Sequence, residues 1–339
     1  MVAWLERKPT PSSPPSSVRI PAFGSPESEY LAPGLGSIAD ILQLKLPEQK
    51  PEVADGDLAA WLLSEFSATS PEIGTLPDVA VRLLEMENKP DTGPAEMAEL
   101  IAIDPALTIA VLRVANTVVN RATNRVTSVK EAVARLGIRQ VSRIGSALAM
   151  KTLFESRNAL HADDRAMAIE LFIHSTTTAL ASSALALSMP TGKVRAEQAF
   201  LGGLLHDVGM AIGLRVLAST LGTKSARPEM TQDELYALLE EVHVEIGAAA
   251  HSAWNLPESA SKVCAEHHIR DAPASEHSQV VHIVRLCSAL HLLRTRPMTI
   301  ARFAEVDESA RFLKLGRVQL QALDTEVRRF TSLATELAS

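Results

Sequence analysis

From Leu58 to the end of the chain, apolar residues recur at three- and four-residue spacing, and no run alternates with period two. The periodic stretches are punctuated by helix-end chemistry. Asp104 precedes Pro105, as an N-cap precedes a first helical proline. Ser128 with Glu131 and Thr231 with Glu234 have capping-box spacing, and Gly137 follows "EAVARL" as a stop. Aromatic residues make up only 4% against 46% hydrophobic, so the core consists mainly of Ala, Leu, Val and Ile, which suits packed helices. No fixed-period repeat is present. The chain is expected to be all-α.

The helices read from this pattern are "DLAAWLLSEF", "LPDVAVRLLEMEN" from about Asp78, "GPAEMAELIAI", "DPALTIAVLRVANTVVN", "TSVKEAVARLG" and "IRQVSRIGSALAMKTLF". A long helix over "DRAMAIELFIHSTTTALASSALALSM" and one over "RAEQAFLGGLLHDVGMAIG" follow. "QDELYALLEEV", then "HVEIGAAAHSAWNL" ending before Pro257, "PESASKVCAEHH", "SQVVHIVRLCSALHLLRT" and "GRVQLQALDTEVRRFTSLATEL" complete the series.

The first part of the chain differs. Nine of the 19 prolines fall between Pro9 and Pro51, and residues 1–56 read as a disordered Pro/Ser-rich tail. Its short apolar patch "SIADILQLKL" has the composition of a docking segment, but an unattached tail is the expectation. The net charge of -7 argues against nucleic acid or an anionic membrane as the main partner. The two cysteines, Cys264 and Cys287, form neither a disulfide framework nor a thiolate zinc pair, which suits a reducing cytoplasm. No signal peptide is evident, and no stretch approaches 18 uninterrupted apolar residues.

Chemistry enters with the ten histidines. His206 and Asp207 are adjacent inside the apolar run "FLGGLLHDVGMAIGL", where ionisable groups are costly unless paired. His174 lies upstream in "LFIHSTTTAL", and His243, His267 and His268 lie downstream. Imidazoles with a carboxylate suit a divalent ion such as Fe, Mn or Mg, and one carboxylate can bridge two ions. Residues so scattered converge only in a bundle. His251, His282 and His291 read as hydrogen-bonded core residues. Asp104 reads as a cap and Asn116 as a helix-to-loop bond. Arg113, Arg121, Arg125 and Arg135 read as a solvated face.

The stretches around these histidines resemble the HD superfamily of metal-dependent phosphohydrolases. "TLPDVAVRLLEM", "ELIAIDPALTIAVLRVANTVVN" and "VTSVKEAVARLGIRQVSRI" sharpen this to a resemblance to the HDOD family, HD-related output domains, over roughly Leu76 to His268. The resemblance implies a two-part helical bundle: a tail over 1–56, HDOD helices over 57–155, an HD-like part over 156–272, and C-terminal helices over 273–339. It also implies regulation in bacterial signal transduction without hydrolysis. Active HD enzymes carry His, then His-Asp, then a late Asp. His174, His206 and Asp207 match, and His243 with His267 and His268 resembles the extra ligands of two-metal relatives. The late acid falls at Ser288, and nothing acidic lies between Glu276 and Glu305.

The expected function is therefore a non-catalytic signalling module working through protein contacts, with no cofactor or at most a weakly held divalent ion. The alternative is a metal-dependent phosphohydrolase acting on a nucleotide or cyclic dinucleotide.

Overall fold

The computed structural model describes residues 31–32, 36–37, 41–42, 56–68, 75–88, 93–119, 125–154, 162–189, 194–221, 230–270, 272–296 and 300–339. The expected disorder of residues 1–56 lies outside these residues, apart from the three dipeptides and Gly56.

The fold is all-α. Two two-residue strands, β1 (Leu31–Ala32) and β2 (Gly36–Ser37), pair antiparallel ahead of the helices. The helices of the first part are α1 (Gly56–Ala68), α2 (Asp78–Asn88), α3 (Pro94–Ala102), α4 (Pro105–Val119), α5 (Val129–Leu136) and α6 (Ile138–Phe154). The second part holds α7 (Ala162–Ser188), α8 (Ala196–Leu205), α9 (Val208–Leu221), α10 (Gln232–Ala253) and α11 (Glu258–Glu266). The chain closes with α12 (Ser278–Thr295), α13 (Ile300–Phe312) and α14 (Arg317–Ala338).

The local signals do what their chemistry dictates. Asp104 Oδ1 accepts from the N–H groups of Ala106 and Leu107 at 2.8 and 3.3 Å, capping α4. Ser128 Oγ accepts from Glu131 N, and Gly137, at φ 83°, turns α5 into α6. Thr231 and Glu234 satisfy each other's N–H groups at the start of α10. Asn116 bridges α4 to the following loop through Leu112 O, Val126 O and Val126 N, each within 2.8–2.9 Å. Of the expected arginine face, Arg113 and Arg135 are engaged: Arg113 donates to Glu336 O and Ser339 Oγ, and Arg135 pairs with Glu131. Arg121 lies outside the described residues.

Helix α7 is the central spar. It packs against α8, α12 and α14, and α6 joins it to the first part. Its run of small hydroxyl residues, Ser175 to Thr178, is fully buried, which lets neighbours approach closely. A Cβ on Gly203 of α8 would lie 2.8 Å from Ala179 Cα. Helix α14 returns along α7, and its last carbonyls accept from Arg113 of α4 and Lys151 of α6. Cations there are favoured by the helix dipole.

Four differences from the sequence reading have physical causes. First, "SIADILQLKL" is not unattached where it is described. Ile41 and Leu42 are 2% and 3% exposed, and their carbonyls accept from Gln321 Nε2 at 3.2 Å and Arg294 Nη2 at 3.0 Å. Second, "RAEQAFLGGLLHDVGMAIG" is two helices with a turn at His206–Asp207. Third, the two helices expected before and after His243 are one, α10, because no cap or breaker separates them. Fourth, α13 was not anticipated. Its buried residues Phe303, Val306 and Ala310 have helical spacing, but charged residues interrupt the apolar pattern.

Residues Ala196–Thr220, spanning α8 and α9, are long and apolar enough to cross a membrane by length and composition. In this fold 89% of the apolar window is buried inside the protein, as a core element.

Candidate metal centre

The break between α8 and α9 creates the site. Successive residues of a regular helix point about 100° apart, and His206 and Asp207 stand at the turn that ends α8. At the turn, Met210 N bonds Asp207 O at 2.9 Å, and His206 Nε2 comes within 3.2 Å of Asp207 Oδ2. Helix α7 brings His174, whose Nε2 is 3.2 Å from both Asp207 Oδ2 and His206 Nε2. Helix α10 brings His243 and the end of α11 brings His267, whose Nε2 atoms lie 3.4 and 3.1 Å from Asp207 Oδ1. These two nitrogens are 3.3 Å apart.

All six residues expected from the sequence therefore gather around one carboxylate, in two groups that share it: His174, His206 and Asp207, and Asp207, His243, His267 and His268. One possible ligand atom from each residue lies within 4.8 Å of the others in its group. Of these, all but His268 are at most 4% exposed. Ser288, expected at the position of the missing acid, lies beside the His174, His206 and Asp207 group. Its Oγ is 3.3 Å from both His174 Nε2 and His206 Nε2.

Donor and acceptor logic decides what the cluster can hold. His206 Nδ1 faces Gly203 O at 2.9 Å, His243 Nδ1 faces Glu240 O at 2.6 Å, and His267 Nδ1 faces Val263 O at 3.0 Å. A carbonyl only accepts, so each Nδ1 carries a hydrogen, and the Nε2 of a neutral ring so held presents a lone pair. Those lone pairs point at one another and at carboxylate oxygens, which also only accept. Asp207 Oδ1 is buried without a well-formed hydrogen bond. Acceptors held 3.1–3.4 Å apart repel unless a cation lies between them. The spacing fits an ion: tetrahedral ligands on bonds near 2.0 Å lie about 3.3 Å apart. The donor set present thus fits a divalent metal.

Protons alone serve poorly at neutral pH. Burial lowers the basicity of His174 against the favourable pull of Asp207, and burial with neighbouring His268 takes His267 down to about 3. His268 is also pushed down to about 3, by burial and then by His243. Burial would raise the Asp207 carboxyl, but the imidazoles around it, His206 foremost, more than offset this and hold it well below the usual range, so it remains an acceptor-only carboxylate.

Sequence reasoning missed three neighbours. His291, expected as plain core, lies with Nδ1 2.9 Å from His174 Nδ1 and sets that ring's orientation. Glu305, on the unanticipated α13, accepts from His268 Nδ1 at 3.1 Å. Arg285 of α12 clamps the turn that carries both terminal histidines, donating to the carbonyls of Glu266, His267 and Ile269 at 2.8, 2.7 and 2.6 Å. Its only sequence signal was its position in a buried helix. His251 keeps the expected core role, bonding Leu205 O, whereas His282 is half-buried and bonds Ser309 Oγ.

A buried His/Asp cluster on a two-part helical scaffold defines the chain as an HD-type helical domain with a candidate metal centre. The HDOD domain profile matches residues 73–270, and the chain belongs to that family. Solved structures agree on the fold. A candidate metal-dependent phosphohydrolase from Shewanella amazonensis SB2B superposes with TM-score 0.58 at 21% identity, over 82% of this chain and 98% of that one. An HDOD domain protein of unknown function from Geobacter sulfurreducens gives 0.57 at 22% identity, over 84% and 99%. A candidate signal transduction protein from Marinobacter aquaeolei VT8 gives 0.53 at 19% identity, over 89% and 64%. An uncharacterized protein of Treponema pallidum (strain Nichols) is 25% identical over 220 residues. The match spans 62% of this chain and 41% of that relative's length.

Proposed function

We propose that this chain is a regulatory module of bacterial signal transduction, organised around a divalent metal centre and acting through protein contacts rather than hydrolysis. The observation that carries the metal reading is the convergence of Nε2 lone pairs, with their Nδ1 hydrogens committed to carbonyls, on a buried Asp207 oxygen. His174, His206, Asp207, His243, His267 and His268 would hold the metal. The nitrogen-rich set favours a first-row ion such as Fe or Mn over Mg. A bound ion of this kind supplies Lewis acidity and an activated water.

The chain's own residues supply less than hydrolysis needs. Ser288 brings a neutral hydroxyl where an anionic ligand would balance charge, and the ligands around it are at most 4% exposed. A phosphate ester requires an open coordination position and groups to orient it. A metal that ties α7, α8, α10 and α11 together instead fixes the surface these helices present. The partner in this reading is another signalling protein, since a net charge of -7 does not favour nucleic acid.

Hydrolysis of a nucleotide or cyclic dinucleotide is the second reading, favoured by the two ligand groups sharing Asp207. Metal analysis of freshly purified protein, beside a phosphodiesterase assay with added Mn, separates the two. Bound metal without turnover is expected. Robust turnover would overturn the regulatory reading, and metal-free protein that takes up no Mn would overturn the metal reading.

A further inference from the structure

The two ligand groups are unequal, and the inequality runs opposite to the order in which the sequence presents them. The group around Asp207 Oδ2 has two imidazoles and the neutral Ser288 hydroxyl. The group around Asp207 Oδ1 has three imidazoles. One of these, His268, is backed by a second carboxylate, since its Nδ1 donates to Glu305 Oε1 at 3.1 Å and its Nε2 is left for an ion. A carboxylate behind a ligating histidine fixes the ring's tautomer and raises its donor strength. It also adds negative charge close to a site that has only Asp207 of its own.

The surrounding helices hold this half more firmly. Arg285 is 2% exposed and donates to three carbonyls at the end of α11, which fixes the turn from which His267 and His268 project. Its Nη1 also reaches Glu308 of α13 at 3.0 Å, so the helix carrying Glu305 is tied to the same clamp. His243 is anchored from the opposite side by its bond to Glu240 O. The Oδ2 group has no comparable second carboxylate among the described residues within hydrogen-bond reach of its histidines.

We propose that the centre holds one ion tightly, on Asp207 with His243, His267 and His268, and that Glu305 is the positioning residue that makes this half the stronger. The helix after the HD-type ligands thus replaces, from behind a histidine, the charge lost at Ser288. This inference rests on the reading that the cluster binds metal.

The test uses the full chain, stripped with chelator and titrated calorimetrically with Mn, with metal content and melting temperature as further readouts. The wild type is expected to show one tight ion per chain. His243→Ala should abolish it. Glu305→Gln should weaken it about tenfold or more, as loss of a carboxylate behind a metal-bound histidine does. His174→Ala should weaken it far less than His243→Ala does, because His174 belongs to the Oδ2 group and is not a ligand of the tight half. Melting temperatures of the stripped proteins report whether each variant folds. Should Glu305→Gln not fold, the His174→Ala and His243→Ala pair still ranks the halves. No ion in the wild type would sink the metal reading itself. A bound ion lost equally on His174→Ala, or held unchanged by folded Glu305→Gln, would overturn this inference and leave the metal reading standing.

Discussion

Ser288 places a hydroxyl at the vertex that a fourth ligand of the Oδ2 group would occupy, 3.3 Å from two histidine nitrogens. Ser288→Asp adds an anion there. With metal present it supplies a ligand and charge balance, so a second Mn should bind and affinity in that half should rise. Without metal it sets two carboxylates in one poorly solvated cluster, which should destabilise the stripped protein by roughly 2–4 kcal/mol. Calorimetry and urea unfolding check the two halves of this expectation, and unchanged behaviour in both would mean that Ser288 does not face the ion. Acid should act on the stripped protein in a definite direction. Burial holds folded His267 near 3 against an ordinary value of 6.5. Between these values the unfolded chain binds the proton and the folded chain does not, so stability is fully present above about 6.5 and falls with acidification toward 3. The slope is up to about 1.4 kcal/mol per pH unit for this one group. His174 and His291, also lowered by burial, add the same sign, and so does Asp207 below its ordinary 3.8. Urea midpoints of chelated protein at pH 7.5, 6 and 5 should decrease in that order, and a rise would contradict the assignment. At this scale the sequence was informative, since the clustered histidines, Asp207 and Ser288 could be picked out in order along the chain. His291, Glu305 and Arg285 could not, because their roles come from atoms on other helices.

Helices α9 and α10 cross at Gly209, two residues after Asp207, and here backbone proximity sets the site. A Cβ on Gly209 would lie 1.9 Å from His243 O and 2.7 Å from Gly247 N. Both neighbours are backbone and cannot rotate away, so Gly209→Ala must push the helices apart and carry His243 off Asp207. A loss of about 3 kcal/mol or more is expected, at the upper end for overpacking, together with loss of metal. Gly93→Ala serves as comparison, because a Cβ there meets nothing within 4 Å, and as a change at the N-cap of α3 its cost should be about 1 kcal/mol. Thermal melts of both variants decide the matter, and equal small effects would mean that α9 and α10 are not in register as described. The same scale explains which elements could be read. Helices with a cap and an unbroken apolar face, such as α4 and α5, were evident, as was the long α7. The break between α8 and α9 was not, because His206 and Asp207 interrupt no hydrophobic periodicity. Helix α13 was obscured by Arg302, Glu305, Asp307 and Glu308, whose charges look solvent-directed in sequence. In the fold Arg302 and Asp307 are buried, and Glu305 and Glu308 turn toward α11 and α12.

Across the whole molecule, chain segments far apart in sequence meet on the face formed by α12 and α14. Arg294 of α12 makes a two-pronged contact with Asp324 of α14 at 3.1 and 2.8 Å, and the same guanidinium donates to Leu42 O at 3.0 Å. Gln321, one turn before Asp324, donates to Ile41 O at 3.2 Å. The side chains of Ile41 and Leu42 are almost fully removed from water. Their apolar burial contributes about 1.5–3 kcal/mol each before the cost of ordering the segment, about 1–2 kcal/mol per residue fixed. A modest net stabilisation is left. Composition hid this contact: a short apolar patch between proline-rich stretches carries no periodicity, and the pairing with Arg294 depends on a salt bridge formed elsewhere. Two truncations separate the docked residues from the rest of the preceding chain. Removing residues 1–38 keeps Ile41, Leu42 and both carbonyl contacts but loses the β1–β2 pair and its contact with α13, and should lower the melting temperature less than the longer deletion does. Removing residues 1–55 deletes them, exposes the apolar surface they cover, and leaves Arg294 and Gln321 without those acceptors. Its melting temperature should fall by a few degrees, at about 1.5 °C per kcal/mol for a chain of this size. Arg294→Ala in the full chain should reproduce part of that loss and add the cost of the unpaired Asp324, which Arg328 at 3.1 Å only partly offsets. If the two truncations melted together, the docked segment would contribute nothing to stability. If the longer deletion were neutral while Arg294→Ala was costly, the arginine would act through Asp324 alone.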